Sequence, residues 1–205
     1  MTYLALHNLQ AEEDAIDLEL NRMKLAEEGA LRDIEASINR CIDQVKSYED
    51  EMAIAMAMSV MPIDDLSIRA EESSSISRLL EEKPAVSKEI GLLEELLCWF
   101  KNDFFSWVNA PPCDYCGNET TQLSRIEPSN QEERQWKSGR TEIYHCSVCR
   151  NLTRFPRINC CKKLLETRKG RCGEWANCFG LCCRAAGLDV RLIHDYTVRE
   201  ICICL

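Results

Sequence analysis

Apolar residues in the first third of the chain step by threes and fours: Ile16, Leu20, Met23, Ala30, Ile34, Ile38, Cys41, Val45 and Tyr48, with Glu27 interrupting. This spacing lays them along one stripe of an α-helix within residues 10–60. The other faces are acidic, so the stripe is expected to pack on the protein's own core or a neighbouring helix. A partner-binding coiled coil is the alternative. The Ala/Met-rich run Met52 to Met61 continues the helix and Pro62 breaks it. Glu71-Glu-Ser-Ser-Ser-Ile-Ser77 is polar and reads as a linker or loop, and Pro84 ends a further short segment. From Ile90 the helical step resumes through Leu93, Leu97, Phe100, Phe104 and Trp107, an aromatic stripe suited to a core, until Asn109-Ala-Pro-Pro112 stops it.

The second half changes character. Residues 121–140 are polar, with Pro128, Asn130 and Gly139, and read as a long exposed loop. Ile143, Tyr144, Val148, Leu152 and Phe155 predict short strands around a turn. Cys172 to Ala186 predicts a helix closed by Gly187 at its C′ position, and Val190 to Tyr196 alternates as a strand. The fold class is α+β. The expected organisation is a helical region with linker over 1–83, an amphipathic helix leading into the core over 84–112, a cysteine module over 113–155 and a C-terminal core over 156–205.

Charge narrows the function. A net charge of −9 argues against general nucleic-acid binding. The chain has no run of 18 apolar residues for a membrane span, and its first residues lack the basic start of a signal peptide. Without a secretion signal, 14 cysteines point to reduced thiols serving metal and catalysis, and to a cytoplasmic setting, rather than to a disulfide framework.

Two pairs carry the metal signal: Cys113-Asp-Tyr-Cys116 and Cys146-Ser-Val-Cys149. Each can form a thiolate knuckle, and two facing knuckles make a tetrahedral structural Zn²⁺ site. Gly117 follows the first pair, where a tight turn benefits from it. Unrelated pairs or redox motifs are the competing readings, disfavoured because two matched pairs occur without a surrounding βαβ pattern. His145 could compete as a ligand, but four sulfurs suffice.

The second chemical signal is Leu164-Leu-Glu-Thr-Arg-Lys-Gly-Arg-Cys-Gly-Glu-Trp-Ala-Asn-Cys-Phe179. It puts Cys172 at a helix start, where the dipole and free N–H groups favour thiolate, with Lys169 and Arg171 adding positive charge. Cys178, Cys182 and Cys183 lie in the helix body and read as small buried apolar residues. Trp175 reads as a packing anchor. Local chemistry alone leaves Cys172 evenly poised between nucleophile and core residue.

Cys113–Gly117, Cys146/Cys149, Arg154-Phe-Pro-Arg157, Leu164–Phe179 and Asp195-Tyr-Thr197 together resemble, in order, the signature of cytoplasmic peptide:N-glycanases of the transglutaminase-like superfamily. Leu97-Cys-Trp-Phe-Lys101 and Phe104-Phe-Ser-Trp-Val-Asn109 resemble the helix preceding that family's zinc site. The resemblance implies a zinc-ribbon-like module beside a transglutaminase-like, papain-related core. It implies hydrolysis of the GlcNAc–asparagine amide of misfolded N-glycoproteins, with Cys172 as nucleophile and a His and Asp as base and orienting acid. It further implies structural Zn²⁺, protein partners linked to the proteasome or ubiquitin receptors, and a cytoplasmic, also nuclear, location.

The resemblance ends at Thr197. The family places Asp-His-Val-Trp next, whereas this chain has Val198-Arg199-Glu200, so Arg199 stands where the base is expected. His194 is five residues away, on the opposite strand face, and Asp195 belongs to the Asp-Tyr-Thr element. The tail Ile201-Cys-Ile-Cys-Leu205 is unlike the family and reads as a changed reading frame or retained intron. The expectation is therefore a truncated, weak or inactive glycanase with an exposed strand edge at 190–196. The alternative is a non-catalytic, zinc-stabilised protein-binding module.

Overall fold

The computed structural model describes residues 3–79, 87–195 and 200–204. The chain divides into two compact units, Met1–Asp43 and Gln44–Leu205. Helix α1 (Tyr3–Lys46) supplies the first and runs into the second. The first unit holds only this helix among the described residues. Leu20, Met23 and Ile38 of its stripe are exposed, whereas Val45 and Tyr48, already in the second unit, join that unit's core.

The second unit continues through a 3₁₀ turn (Ser47–Glu49) into α2 (Glu51–Val60), capped by Asp50, whose carboxylate accepts the Ala53 N–H at 2.8 Å. Helix α3 (Ile63–Leu79) follows the break at Pro62. It runs through the Ser-rich segment expected to be a loop. The Ser75 hydroxyl bonds back to the Glu71 carbonyl at 2.8 Å, satisfying the polar side chain without leaving the helix. Helix α4 (Lys88–Trp99) starts at Ser87, which accepts the Ile90 N–H, and packs along α3 with Arg69–Glu95 and Lys88–Glu71 ion pairs. Phe100 and Phe104 are buried and Leu93 packs on the core as expected, while Ile90 and Leu97 of the expected stripe are exposed and Leu96 and Trp99 are buried in their place.

The helix does not reach Trp107. It widens into a π turn (Phe100–Phe104), where the Phe105 N–H donates to the Phe100 carbonyl at 2.8 Å, and the chain then extends into β1 (Ser106–Trp107). The wider turn brings Phe104 against both Trp99 and Phe100, with ring centres 4.7 and 5.5 Å apart. Aromatic packing thus takes precedence over helical continuation.

Strand β2 (Thr120–Ile126) and the short α5 (Gln131–Gln135) occupy the stretch read as a loop. β2 is almost wholly exposed and so lacks the alternation that would announce it. β3 (Thr141–Cys146) and β4 (Leu152–Pro156) form as expected, and the antiparallel order is β2-β3-β4. Next come α6 (Cys161–Thr167), β5 (Lys169–Gly170) and α7 (Cys172–Ala185). Helix α7 closes as predicted: Gly187 takes φ +84°, its N–H reaches the Arg184 carbonyl, and the Leu188 N–H reaches that of Cys183. β6 (Arg191–Asp195) pairs antiparallel with β7 (Glu200–Cys204). The tail pairs with one edge of β6, and its other edge has no partner strand among the described residues, in line with the exposed edge expected there.

One apolar core joins these helices. Tyr48, Ala57, Leu66, Leu96, Phe100, Leu164, Phe179 and Leu181 are among its buried members. Phe100 lies at its centre, with Trp175 and Phe179 packed edge-on at 4.8 and 5.1 Å. Cys178, Cys182 and Cys183 are fully buried here, as expected, and desolvation pushes the Cys178 and Cys183 thiols upward. No described helix is long and apolar enough to cross a membrane.

Candidate active site and metal centre

The four paired cysteines converge. Their sulfur atoms lie within 4.8 Å of one another, with Cys113–Cys149 at 3.4 Å and Cys116–Cys146 at 3.5 Å. The two knuckles are near copies. In the first, the Gly117 N–H donates to the Cys113 carbonyl and the Cys113 N–H to that of Asn118; in the second, Arg150 and Asn151 play the same parts around Cys146. Gly117 takes φ +72°, and Arg150 takes φ +61°, a left-handed turn that a non-glycine residue adopts only under constraint. The amide of Asn118 reaches the Cys116 sulfur at 3.3 Å, and that of Asn151 reaches Cys149 at 3.5 Å. The sequence contains this repeat as Cys-x-x-Cys-x-Asn, of which only the cysteines were recognised.

The donor set fits a metal ion. Asn118 donors, first from the side chain and then from the backbone, hold Cys116 down to about 6. At Cys149 the Asn151 N–H pulls downward, but burial and neighbouring sulfurs prevail and raise the thiol to about 11. Adjacent thiolates repel, so one sulfur ionises at another's expense; a bound cation would relieve all four together. His145 is not part of the cluster. It lies in β3, across from Thr121 and Leu152.

Cys172 is the first residue of α7 and is partly exposed. Its approach is fixed by β5, which pairs in parallel with β1: the Ser106 N–H donates to the Arg168 carbonyl at 2.8 Å and the Val108 N–H to that of Gly170 at 2.9 Å. Gly170 has no alternative, because a Cβ there would overlap the Cβ of Glu174. Glu174, at the third helical position, accepts the Arg171 N–H at 3.1 Å, the half of a capping box that a glutamate supplies.

Arg171 does not act as the free cation expected beside the thiol. Its guanidinium points to Glu142 on β3, donating to the two carboxylate oxygens at 3.3 and 2.9 Å, to the Val108 and Asn109 carbonyls at 2.9 and 2.7 Å, and to the Tyr144 hydroxyl at 2.7 Å. Arg157 closes the figure, with a bidentate bond to Glu174 at 2.5 and 2.7 Å and a bond to Glu142 at 3.2 Å. Burial opposes the charge on Glu142, but Arg171, Tyr144 and Arg157 outweigh it and hold the carboxyl at about 2. The sequence reading missed Glu142 entirely. Its signal, a glutamate inside a short strand, becomes distinctive only once the strand is known to be buried on both sides of that position. Lys169 is exposed in β5. His194 lies on β6 opposite Ile201, and Arg199, expected at the base position, lies outside the described residues.

Residues 123–202 match the transglutaminase-like superfamily. The chain is similar to proteins named peptide-N(4)-(N-acetyl-beta-glucosaminyl)asparagine amidase. It is 44% identical to that of Rattus norvegicus over 76% of this chain and 24% of the relative. It is 42% identical to the Arabidopsis thaliana protein over 94% of this chain and 28% of the relative. It is 45% identical to that of Yarrowia lipolytica over 73% of this chain and 42% of the relative. The chain thus spans 24% of the length of the animal relatives it matches.

Proposed function

We propose that this chain, which belongs to the transglutaminase-like superfamily among the peptide-N(4)-(N-acetyl-beta-glucosaminyl)asparagine amidases, supplies the nucleophile and scaffold for hydrolysing the GlcNAc–asparagine amide of misfolded N-glycoproteins. The observation carrying this reading is Cys172 as the first residue of α7, with Arg171 before it anchored to Glu142 on β3 and Glu174 two residues after it anchored to Arg157, just past β4. The Cys172 sulfur attacks the asparagine side-chain carbonyl. The N–H groups of the first turn of α7, which a helix leaves without intrahelical acceptors, would receive the oxyanion. The C–N bond breaks as a proton reaches the departing glycosylamine, leaving a thioester that water hydrolyses to aspartate and free thiol.

That proton needs a donor. At the position where the resemblance expects the histidine, the sequence has Arg199. With Arg199 at that position the reaction is expected to be slow or absent, since losing a triad member costs several powers of ten in rate. The four cysteines Cys113, Cys116, Cys146 and Cys149 would hold Zn²⁺, whose contribution is a structural cross-link. So many thiols suit the reducing cytoplasm.

A second reading, a zinc-stabilised module that binds partners of glycoprotein disposal without turnover, is favoured by the exposed Leu20, Met23 and Leu25 of α1. One experiment separates the two. The purified chain is incubated with a denatured N-glycoprotein, and the peptides are scanned by mass for glycan loss and conversion of asparagine to aspartate. Slow conversion abolished in Cys172→Ser supports the amidase. No conversion at any enzyme excess favours the binding module, and rapid conversion would show that another group of this chain supplies the proton.

A further inference from the structure

Glu142 is fully buried, carries a charge, and takes no part in the chemistry assigned to Cys172. A buried ion pair is a poor device for stability alone, because desolvation offsets most of its attraction and an apolar substitute of equal volume serves as well. What this pair does supply is direction. Three ion pairs link Arg171 to Glu142, Glu142 to Arg157 and Arg157 to Glu174, and the Arg171 backbone N–H donating to Glu174 closes the ring. The ring grips the helix on both sides of the nucleophile: at Arg171, immediately before Cys172, and at Glu174, two residues after it. Glu142 lies four residues from Cys146 on the same strand, so the ring also ties the first turn of α7 to the four-cysteine sheet. The sequence separation between Glu142 and Arg171 is 29 residues, and their contact spans two elements that share no backbone ladder.

We propose that Glu142 is a positioning residue for Cys172, acting through Arg171 and Arg157, and that it transmits the order of the four-cysteine sheet to the nucleophile. The proposal rests on Cys172 being that nucleophile. Without the carboxylate, Arg171 loses its anion, its guanidinium leaves the interior, and the first turn of α7 frays. The thiol then loses its fixed place at the positive end of the helix and beside its N–H groups.

The test is the rate at which iodoacetamide alkylates Cys172 in the folded 205-residue chain, followed by mass spectrometry. The exposed Cys98 in the same molecule serves as reference. E142Q should slow Cys172 about tenfold and leave Cys98 unchanged. E142D, which keeps the charge, should recover most of the rate. In an R171M background, E142Q should add no further effect. Equal slowing of both thiols, an unchanged Cys172 rate, or multiplying effects of E142Q and R171M would each overturn the proposal. If E142Q does not accumulate as folded protein, R171K carries the same test, because it keeps the charge and loses the fork that Glu142 receives. Deglycosylation is read separately. An alkylation effect without turnover leaves the positioning of the Cys172 thiol intact and favours the binding-module reading; turnover without the alkylation effect supports the amidase and overturns the positioning.

Discussion

The four-cysteine sheet and the core around α7 adjoin each other, yet different forces hold them. The core is apolar and closely packed, with Leu96, Phe100, Leu164 and Leu181 shut off from water. The sheet leaves Leu123, Val148 and Leu152 exposed and buries Glu142, Thr141 and Thr153 beside Ile143, Tyr144 and Phe155. Burial of apolar area organises the first. Sulfur geometry and directional, charge-assisted bonds organise the second. Cys172 lies where the two meet: its helix belongs to the core, while the residues flanking it are bonded to the sheet. A nucleophile placed at that boundary takes rigidity from one side and orientation from the other.

The largest expected effect breaks the sheet alone. Replacing Cys113 and Cys146 with serine should abolish metal binding, worth on the order of 10 kcal/mol in small zinc modules, and disorder residues 113–156. Helical circular dichroism should persist; a common collapse of both signals would show that the two regions are one cooperative unit. Phe100→Ala attacks the other side. It should cost about 3–5 kcal/mol, read from denaturant unfolding, with the sulfur cluster still able to bind metal. Acid sharpens the contrast. Glu142 is held at about 2 when folded, below its ordinary value of 4.5, so its contribution is complete above that value and fades as pH falls from 4.5 through 2. Sheet signals should weaken over that range, whereas those of the core should weaken much less. The smallest effect lies in the core's periphery: Asp50→Ala removes the α2 cap and should lower the unfolding midpoint slightly, with no change in Cys172 alkylation.

What the sequence made legible was local chemistry. The Cys-x-x-Cys pairs, the Gly187 stop and the helical start at Cys172 each depend on residues within one turn of one another, and each stands where the spacing predicted. The misreadings share a physical cause. The serines of α3 look like a loop until their hydroxyls are seen bonding back to the helix and α4 is seen packing alongside. β2 shows no alternation because almost none of it is buried. The π turn at Phe100 follows from rings that arrive from α7, 75 residues later in the case of Trp175. Arg171 could be recognised as a cation beside Cys172, but its partner Glu142 could not, because the pairing exists only in three dimensions.

The two-residue ladder between β1 and β5 offers a way to watch this site at rest. The amide protons of Ser106 and Val108 are bound to the carbonyls immediately upstream of Cys172, and nothing but local opening of that turn releases them to solvent. Their hydrogen-exchange rates therefore time how often the nucleophile's approach comes apart in the native protein. Slow exchange there, beside fast exchange in β2, would give the boundary between the two regions its own measured free energy.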